Sequence, residues 1–251
     1  GADADENVLV SPLTADVLRA GLEIGEKTGG ALDITLYAVS QLWDYKSENP
    51  QVPDEAAVRA ALEKSGRGRV CVEGNSVCTG GTQLDLGAIA KGAVGDEVIA
   101  CLKEQGVVCA LVNLGGNILT LGEKADGSPW TIAVDSPFGE GYAGRIEVGG
   151  GKAVATSSGA QRYFEKDGVV YHHILDPETG YPARSGLASV TVIADDGLTA
   201  DALSTALFVA GEAQAARILE EQYPKVGAVL IRDDGSIRTL GNVCFTEEAG
   251  A

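Results

Sequence analysis

Short runs of β-branched and aromatic residues, separated by glycine-rich turns, restrict the fold of this chain more than any other feature. Four such runs lie at residues 130–135, 144–148, 152–157 and 169–175. Runs of this length and composition predict short strands joined by tight turns. Helical spacing of apolar residues occurs on both sides of this stretch, at residues 13–27, 53–66, 198–210 and 212–222. The sequence therefore predicts an α+β fold of mixed, largely antiparallel sheets flanked by helices.

The charge of the chain limits its partners. The 251 residues include 36 Asp and Glu against 19 Lys and Arg, which gives a formal net charge of −17. The length suits one large domain or two small ones. Without a basic stripe to neutralise phosphates, nucleic acid is excluded as a general partner. An anionic ligand would need a metal ion or helix N-termini to offset the repulsion.

The cysteines form no metal-binding pattern. The chain has five of them and no Cys-x-x-Cys pair, so the sequence predicts no zinc site. Cys71 and Cys78 lie on either side of the turn of a hairpin predicted over residues 69–84 and could close it with a disulfide, but we expect buried free thiols instead. The sequence has no window as long as a transmembrane helix and no signal peptide. It also contains no methionine, which indicates a processed or engineered product.

Both histidines of the chain fall in one turn-forming stretch at residues 171–182. Pro177 disfavours helical geometry at the residue before it, and Gly180 indicates a tight turn. The preceding strand would place His173 at the start of a rigid loop, a position where catalytic side chains are common. From residue types alone, a purely structural turn is the more frequent role for such a pair.

Three other stretches carry polar residues at spacings suited to chemistry. Asp201 and Thr205 lie four apart on a predicted helix, so their oxygens could hold a hard cation such as Mg²⁺. The alternative is that Asp201, in the first turn of the helix, only interacts favourably with the helix dipole. Asp85 lies just before the predicted start of a helix, and Lys91 lies in the first turns of that helix. The backbone N–H groups of such a start, together with a lysine, suit binding of a phosphate. The alternative is an ordinary connection between a strand and a helix. Asp33, at a turn before a helix, is either a cap or an acceptor for a ligand.

Seven motifs follow one another between residues 30 and 207, and the resemblance they carry extends over about residues 29–241. They are Gly-Ala-Leu-Asp-Ile-Thr (30–35, then Leu-Trp at 42–43), Leu-Asp-Leu-Gly-Ala-Ile-Ala-Lys-Gly (84–92), Leu-Val-Asn-Leu-Gly-Gly-Asn-Ile (111–118), Ala-Thr-Ser (155–157, then Arg-Tyr-Phe at 162–164), His-His-Ile-Leu-Asp-Pro-Glu-Thr-Gly-Tyr-Pro (172–182), Ala-Ser-Val-Thr-Val-Ile-Ala (188–194) and Thr-Ala-Asp-Ala-Leu-Ser-Thr-Ala-Leu (199–207). Their types and order closely resemble the ApbE family of FAD:protein FMN transferases.

The resemblance implies a Mg²⁺-dependent enzyme that splits FAD and attaches FMN by a phosphoester bond to a Thr or Ser of a partner protein. The alternatives are a FAD pyrophosphatase that yields FMN and AMP, and a non-catalytic FAD-binding protein. We expect one domain over residues 1–251 that lacks the N-terminal segment of the family. We also expect an extracytoplasmic protein, membrane-anchored in its full-length form, whose acceptor is a membrane redox or extracytoplasmic electron-transfer protein.

The resemblance also implies a role for individual residues. His173, rather than His172, is expected to be the base that activates the acceptor hydroxyl. The expected metal ligands are Asp201, Thr205 and a backbone carbonyl near Ala88. The expected FAD contacts are Ala31, Leu32, Asp33, Asp85, Lys91 and the backbone near Leu175. Residues 158–160, Ser-Gly-Ala, resemble the acceptor motif of flavinylated partners. Gln161 stands where that motif has Ser or Thr, so we do not expect self-modification.

Overall fold

The computed structural model describes residues 7–248, in which helices surround antiparallel sheets. The helices are α1 (Pro12–Lys27), α2 (Tyr37–Trp43), α3 (Glu55–Leu62), α4 (Ala90–Glu104) and α5 (Gly197–Gln222), with a 3₁₀ turn at Arg67–Arg69. The strands are β1 (Val8–Leu9), β2 (Cys71–Glu73), β3 (Ser76–Cys78), β4 (Ala110–Leu114), β5 (Asn117–Leu121), β6 (Trp130–Asp135), β7 (Tyr142–Val148), β8 (Ala153–Ser158), β9 (Tyr163–Lys166), β10 (Val169–His172), β11 (Leu187–Ala194), β12 (Gly227–Arg232), β13 (Ile237–Leu240) and β14 (Cys244–Glu247).

The main sheet has six strands in the order β13-β12-β11-β8-β5-β4, and every neighbouring pair is antiparallel. The central strands β11 and β12 are buried on both faces, and the side chains of β12 show which core lies on each side. Ala228 and Leu230 pack into the core that includes α4 and α5, whereas Val229 and Ile231 pack into a second core beneath the three-stranded sheet β14-β7-β6. The predicted α+β class with largely antiparallel sheets is confirmed.

Helix boundaries follow the local signals in the sequence. Ser11 caps α1 by accepting a hydrogen bond from the Thr14 N–H, and Asp54 caps α3 in the same way. The long α5 is interrupted at Gly211, whose φ of 74° lies in the left-handed region. This kink separates the two helices that the sequence predicted at residues 198–210 and 212–222.

Two expectations are wrong. The apolar run at residues 107–113 predicts a buried strand, whereas β4 begins only at Ala110 and forms an edge of the main sheet, where none of its side chains is fully buried. The expected burial of the thiols fails because most of the cysteines lie on small or peripheral elements. Cys71, Cys101, Cys109 and Cys244 are exposed. The predicted hairpin over residues 69–84 is confirmed, and its register places Cys71 opposite Cys78.

An aromatic cluster anchors the turn that contains the histidines. It consists of Trp43, Tyr45, Phe164, Tyr171 and Tyr181. Trp43 is fully buried, and its indole N–H donates to the Gly180 carbonyl at 2.9 Å. This contact ties α2 to the turn 137 positions away. Within residues 7–248, no helix combines the length and apolar character that a membrane span requires.

Candidate functional site

A cavity of about 640 Å³ lies among α2, the start of α4, β8 and the segment that follows β10. We call it the main cavity. Four separate segments of the chain contribute the residues that the sequence predicted for the site. All ten line this one cavity: Ala31, Leu32, Asp33, Asp85, Ala88, Lys91, His173, Leu175, Asp201 and Thr205. The structure therefore brings every predicted site residue together, although they span most of the sequence.

Asp201 is a buried carboxylate on the cavity side of α5. It is 5% exposed, and one carboxylate oxygen accepts a hydrogen bond from the Gly92 N–H at 3.0 Å. Burial raises the pKa of Asp201, and the Gly92 N–H and the charge of Lys91 counteract part of that rise. A cation in the cavity would therefore stabilise the ionised form of this carboxylate.

Close contact between two glycines sets the distance between α4 and α5. A Cβ atom on Gly92 would overlap the Gly197 carbonyl and lie 2.8 Å from the Asp201 Cβ. Only a glycine lets the helices approach this closely. Lys91, the residue before Gly92, is thereby held beside Asp201, and its ammonium group donates to the Asn117 side-chain oxygen at 3.4 Å.

Thr205, one turn after Asp201, belongs to a group of three hydroxyls. Its Oγ1 lies 3.1 Å from Ser157 Oγ, which in turn lies 2.8 Å from Ser204 Oγ. Ser157 comes from β8 and lines the cavity. The hydroxyl of Thr205 is consequently held in place by a neighbouring strand rather than left free to rotate.

The oxygen atoms near Asp201 suit a magnesium ion whose remaining coordination positions are filled by phosphate and water. No group of three or more His, Cys, Asp or Glu within residues 7–248 could hold a metal. Mg²⁺ often binds through one or two carboxylates and completes its shell with waters and substrate phosphates. The Asp201 carboxylate, the Thr205 hydroxyl and a carbonyl near Ala88 fit that pattern, whereas they do not form an all-protein cage.

Asp33 and Asp85 stabilise the backbone turns at the cavity wall. Asp33 accepts hydrogen bonds from the N–H and the hydroxyl of Thr35, at 2.8 and 2.6 Å. The alternative that Asp33 caps α2 is wrong, because Leu36 precedes that helix and no side chain caps it. Asp85 accepts from the Gly87 N–H at 2.8 Å and from Ser40 Oγ at 3.3 Å. These bonds fix the two turns that carry the predicted ligand contacts.

His173 directly follows β10 and faces the main cavity. Its Nδ1 lies 3.2 Å from the Arg162 carbonyl oxygen, so Nδ1 donates its hydrogen there and Nε2 is left as the basic nitrogen. Burial lowers the pKa of His173, the Arg162 carbonyl opposes this, and the charges of Arg162 and Lys91 lower it further. The imidazole is therefore neutral near pH 7 and able to accept a proton.

His172 occupies a different environment from its neighbour. It is 7% exposed, its Nε2 donates to the Ala183 carbonyl at 3.0 Å, and its ring packs edge-on against Phe208. Burial lowers the pKa of His172 to about 4. It does not line the main cavity. The two histidines therefore lie in separate surroundings, and only His173 lines the main cavity.

Several residues that line the main cavity were not singled out from the sequence. Ser157 and Arg162 lie inside recognised motifs, so motif membership was a usable signal for both. Tyr37 and Tyr45 lie on and after α2, and nothing in their local sequence distinguishes them from ordinary packing residues. Gln161 also lines the cavity but has no hydroxyl to modify.

Comparisons with known proteins agree with this arrangement. Residues 2–230 match the sequence model of the ApbE family. A FAD:protein FMN transferase of Treponema pallidum (strain Nichols) is 36% identical over 245 residues, which cover 90% of this chain and 67% of that protein.

Solved structures give the same result. The crystal structure of the ApbE protein from Thermotoga maritima has a TM-score of 0.86 at 36% identity and covers 94% of this chain and 78% of its own. The apo form of the flavinyl transferase ApbE from Pseudomonas stutzeri has a TM-score of 0.81 at 32% identity, with coverage of 98% and 75%. On the evidence of its motifs, its fold and these relatives, the chain belongs to the ApbE family.

Proposed function

We propose that this transferase binds FAD and Mg²⁺ in the main cavity and transfers FMN to a Thr or Ser hydroxyl of a partner protein. The observation that carries the proposal is the convergence of a buried carboxylate, a lysine and a neutral histidine on one cavity. The names of the relatives, FAD:protein FMN transferase and flavinyl transferase, support a FAD donor and a protein acceptor.

The charges around the cavity support binding of a pyrophosphate. The whole chain carries a formal net charge of −17, which by itself repels an anion. Lys91 and Arg162 are cationic residues in the cavity lining. Asp201, Thr205 and the Ala88 carbonyl would hold Mg²⁺, which when bound neutralises phosphate charge. Four carboxylates also line the cavity (Asp33, Asp44, Asp85 and Asp201), so the cationic side chains alone do not make it positive, and a bound Mg²⁺ would be needed to offset the repulsion.

The walls of the cavity suit the remainder of FAD. Ala31 and Leu32 provide apolar surface, and Asp33 provides an acceptor for N–H or hydroxyl groups of the ligand. Leu175 also lines the cavity and pairs with Pro182 in an isolated bridge, which fixes the backbone there. We propose that these residues and Asp85 position the nucleotide.

His173 would act as the general base. The acceptor hydroxyl oxygen attacks the FMN phosphorus of FAD, and the bond from that phosphorus to the bridging oxygen breaks. AMP leaves with the bridging oxygen, and the hydroxyl proton moves to His173 Nε2. Because burial lowers the pKa of His173, the nitrogen is free to accept this proton at neutral pH. Lys91 would hold the pyrophosphate in position for attack.

Water in place of the hydroxyl would give FMN and AMP, so slow FAD hydrolysis is the expected side reaction. This reaction needs no acceptor protein. It therefore measures FAD binding and phosphorus chemistry separately from recognition of the acceptor.

Intact-mass spectrometry of a carrier protein tests the proposal. The carrier is a small globular protein with Ser-Gly-Ala-Thr in an exposed loop, and its control carries Ser-Gly-Ala-Val. With FAD and Mg²⁺, we expect the first carrier to gain one FMN less one water, and the second to gain nothing. FMN that appears only free in solution would support the hydrolase instead. FAD that binds but stays intact would support a non-catalytic flavin-binding protein.

We also propose an extracytoplasmic location, with a membrane anchor in the full-length form and an electron-transfer protein as the acceptor. The support for this proposal is the family resemblance alone. Fractionation of the source cells with an antibody against this chain tests it. Recovery in the cytoplasmic fraction would contradict the proposal.

A further inference from the structure

The peptide group between His172 and His173 lies where regular strand pairing ends. β9 and β10 pair antiparallel as far as His172, which lies opposite Tyr163. The next residue, His173, already belongs to the segment that follows β10. Segments that connect strands are more mobile than the strands themselves, so the orientation of His173 depends on what holds this peptide group.

Both sides of that peptide group are hydrogen-bonded. The His173 N–H donates to the Arg162 carbonyl at 3.1 Å. The His172 carbonyl accepts from the Tyr45 hydroxyl at 2.7 Å, across 127 positions of the chain. Arg162 directly precedes β9, whereas Tyr45 follows α2. Tyr45 therefore fixes the plane of the peptide group from outside the hairpin of β9 and β10.

The ring of His173 is oriented relative to the same peptide group. Its Nδ1 donates to the Arg162 carbonyl, which the His173 N–H also uses as its acceptor. A carbonyl oxygen has two lone pairs and can accept both bonds. Because both donors belong to His173, rotation of its peptide group would break the two bonds together and free the ring to turn.

Aromatic packing holds Tyr45 in place. Its ring stacks on Trp43, with centroids 6.1 Å apart and planes 11° apart, and packs against Phe164 at 5.7 Å. Asp44 lies between the two stacked residues and has a φ of 38°, an uncommon conformation for a residue other than glycine. This sharp turn after α2 lets the rings of residues 43 and 45 lie face to face. The Tyr45 hydroxyl thus belongs to a rigid group, and its hydrogen bond restrains the histidine peptide.

The Tyr45 hydroxyl acts as a donor throughout the neutral range. Burial raises the pKa of Tyr45, and the charge of Arg184 offsets only part of that rise. The His172 carbonyl can only accept, so the phenolic hydrogen must lie between the two oxygens. The bond consequently persists over the pH range in which His173 titrates.

The α2 helix and the two residues after it connect separate walls of the main cavity. Ser40 Oγ donates to the Asp85 carboxylate at 3.3 Å. The Trp43 indole donates to the Gly180 carbonyl at the far end of the histidine turn, and Tyr45 holds the near end. One short helix therefore links the wall proposed to contact FAD to the turn that carries the proposed base.

We propose that Tyr45 is a positioning residue, which orients the imidazole of His173 for proton transfer by holding the His172 carbonyl. This inference rests on the proposed function, because it explains how the base of that reaction is oriented. Tyr45 takes no part in the proton transfer itself. Its ring also lines the main cavity, so the hydroxyl has to be tested with the ring retained.

Tyr45→Phe removes the hydroxyl and keeps the ring. Tyr223→Phe is the matched control, because its buried hydroxyl has no hydrogen-bond partner within residues 7–248 and it lies outside the main cavity. The chain has two histidines, so long-range proton–nitrogen NMR spectra contain two imidazole patterns, which His172→Gln and His173→Gln assign. We measure these patterns without FAD, kcat for FMN transfer to the Ser-Gly-Ala-Thr carrier, and the Kd for FAD.

In the parent, we expect His173 to carry its hydrogen on Nδ1 and His172 on Nε2, as their carbonyl partners require. In Tyr45→Phe, the His173 pattern should shift towards a mixture of the two tautomers. The His172 pattern should stay unchanged, which also verifies that the variant is folded. The kcat for transfer should fall about 10- to 100-fold, as loss of alignment typically causes, and the Kd for FAD should change little. Tyr223→Phe should match the parent in every measurement.

A Tyr45→Phe protein whose His173 pattern coincides with that of the parent would overturn the proposal, whatever its activity. A changed pattern with an unchanged kcat would overturn it as well, since the orientation of the ring would then have no bearing on transfer. If the parent transfers no FMN but the pattern changes, the proposed function is wrong while the contact that orients His173 stands. The two failures are distinguishable because the NMR measurement needs neither FAD nor the carrier.

Discussion

At the scale of single residues, Asp201 most restricts what the main cavity can bind. Its carboxylate is buried beside Lys91 and a backbone N–H, and burial raises its pKa. A buried carboxylate is unfavourable unless a cation or hydrogen bonds compensate it. The Gly92 N–H supplies part of that compensation, and Mg²⁺ would supply more.

We predict that Asp201→Asn lowers Mg²⁺-dependent FAD turnover at least about a hundredfold, because the metal loses its charged ligand. Asparagine retains an acceptor for the Gly92 N–H, so the melting temperature should change by no more than a few degrees. A Mg²⁺ titration of FAD hydrolysis measures the first effect and calorimetry the second. Asp195→Asn, at an exposed ion pair with Lys152, is the control. An unchanged Mg²⁺ response in Asp201→Asn would contradict the metal assignment.

His173→Gln should lower FMN transfer about 10²- to 10⁴-fold, the usual contribution of a general base. The Kd for FAD should change little, since the base acts on the acceptor hydroxyl. Because the pKa of His173 is lowered, the transfer rate of the parent should fall on acidification only below pH 6.5, the ordinary histidine value. A variant that loses FAD binding in proportion to transfer would show that His173 is a ligand contact instead.

His172 makes stability depend on pH. Folded His172 takes up a proton only near pH 4, whereas the unfolded chain does so near 6.5. Between these values the unfolded state binds more protons, so stability falls as pH falls, by as much as about 3 kcal/mol. Urea unfolding at pH 7 and pH 4.5 measures this loss. The loss should be smaller in His172→Gln, which has no titrating ring, and an identical loss in both would contradict the burial of a neutral imidazole.

At the scale of elements, the junction of α4 and α5 assembles the site. Gly92 and Gly197 touch although they are far apart in sequence, and this contact brings Lys91 to Asp201. The motif at residues 84–92 contains Gly92, but a sequence cannot specify which distant backbone a glycine meets. For the same reason the sequence did not predict β9 and β14, since strands of only four residues form only where a partner strand exists.

Gly92→Ala should separate the two helices. Alanine favours a helix over glycine by about 1 kcal/mol. The clash with the Gly197 backbone should outweigh this gain, because overpacking costs about 1–3 kcal/mol and neither backbone can move freely. We expect a lower free energy of unfolding in urea and slower FAD hydrolysis. Gly149→Ala, where a Cβ meets nothing within 4 Å, is the control. A Gly92→Ala protein that is as stable and active as the parent would exclude this role.

At the scale of the whole molecule, the motifs indicated which distant residues would lie together more reliably than the sequence indicated what surrounds them. Asp33, Lys91, His173 and Asp201 line one cavity, and each lies in a motif with a distinctive local pattern. The exposed cysteines and the edge position of β4 were missed. Those properties depend on which element covers a given face, and no local pattern encodes that.

Intact-mass spectrometry of the Ser-Gly-Ala-Thr carrier, incubated with FAD and Mg²⁺, tests the central claim most directly when the parent is compared with Asp201→Asn and His173→Gln. We predict one added FMN, less one water, with the parent and no detectable adduct over the same time with either variant. An unmodified carrier with the parent, or equal modification with all three proteins, would contradict the claim that these residues transfer FMN from one shared cavity.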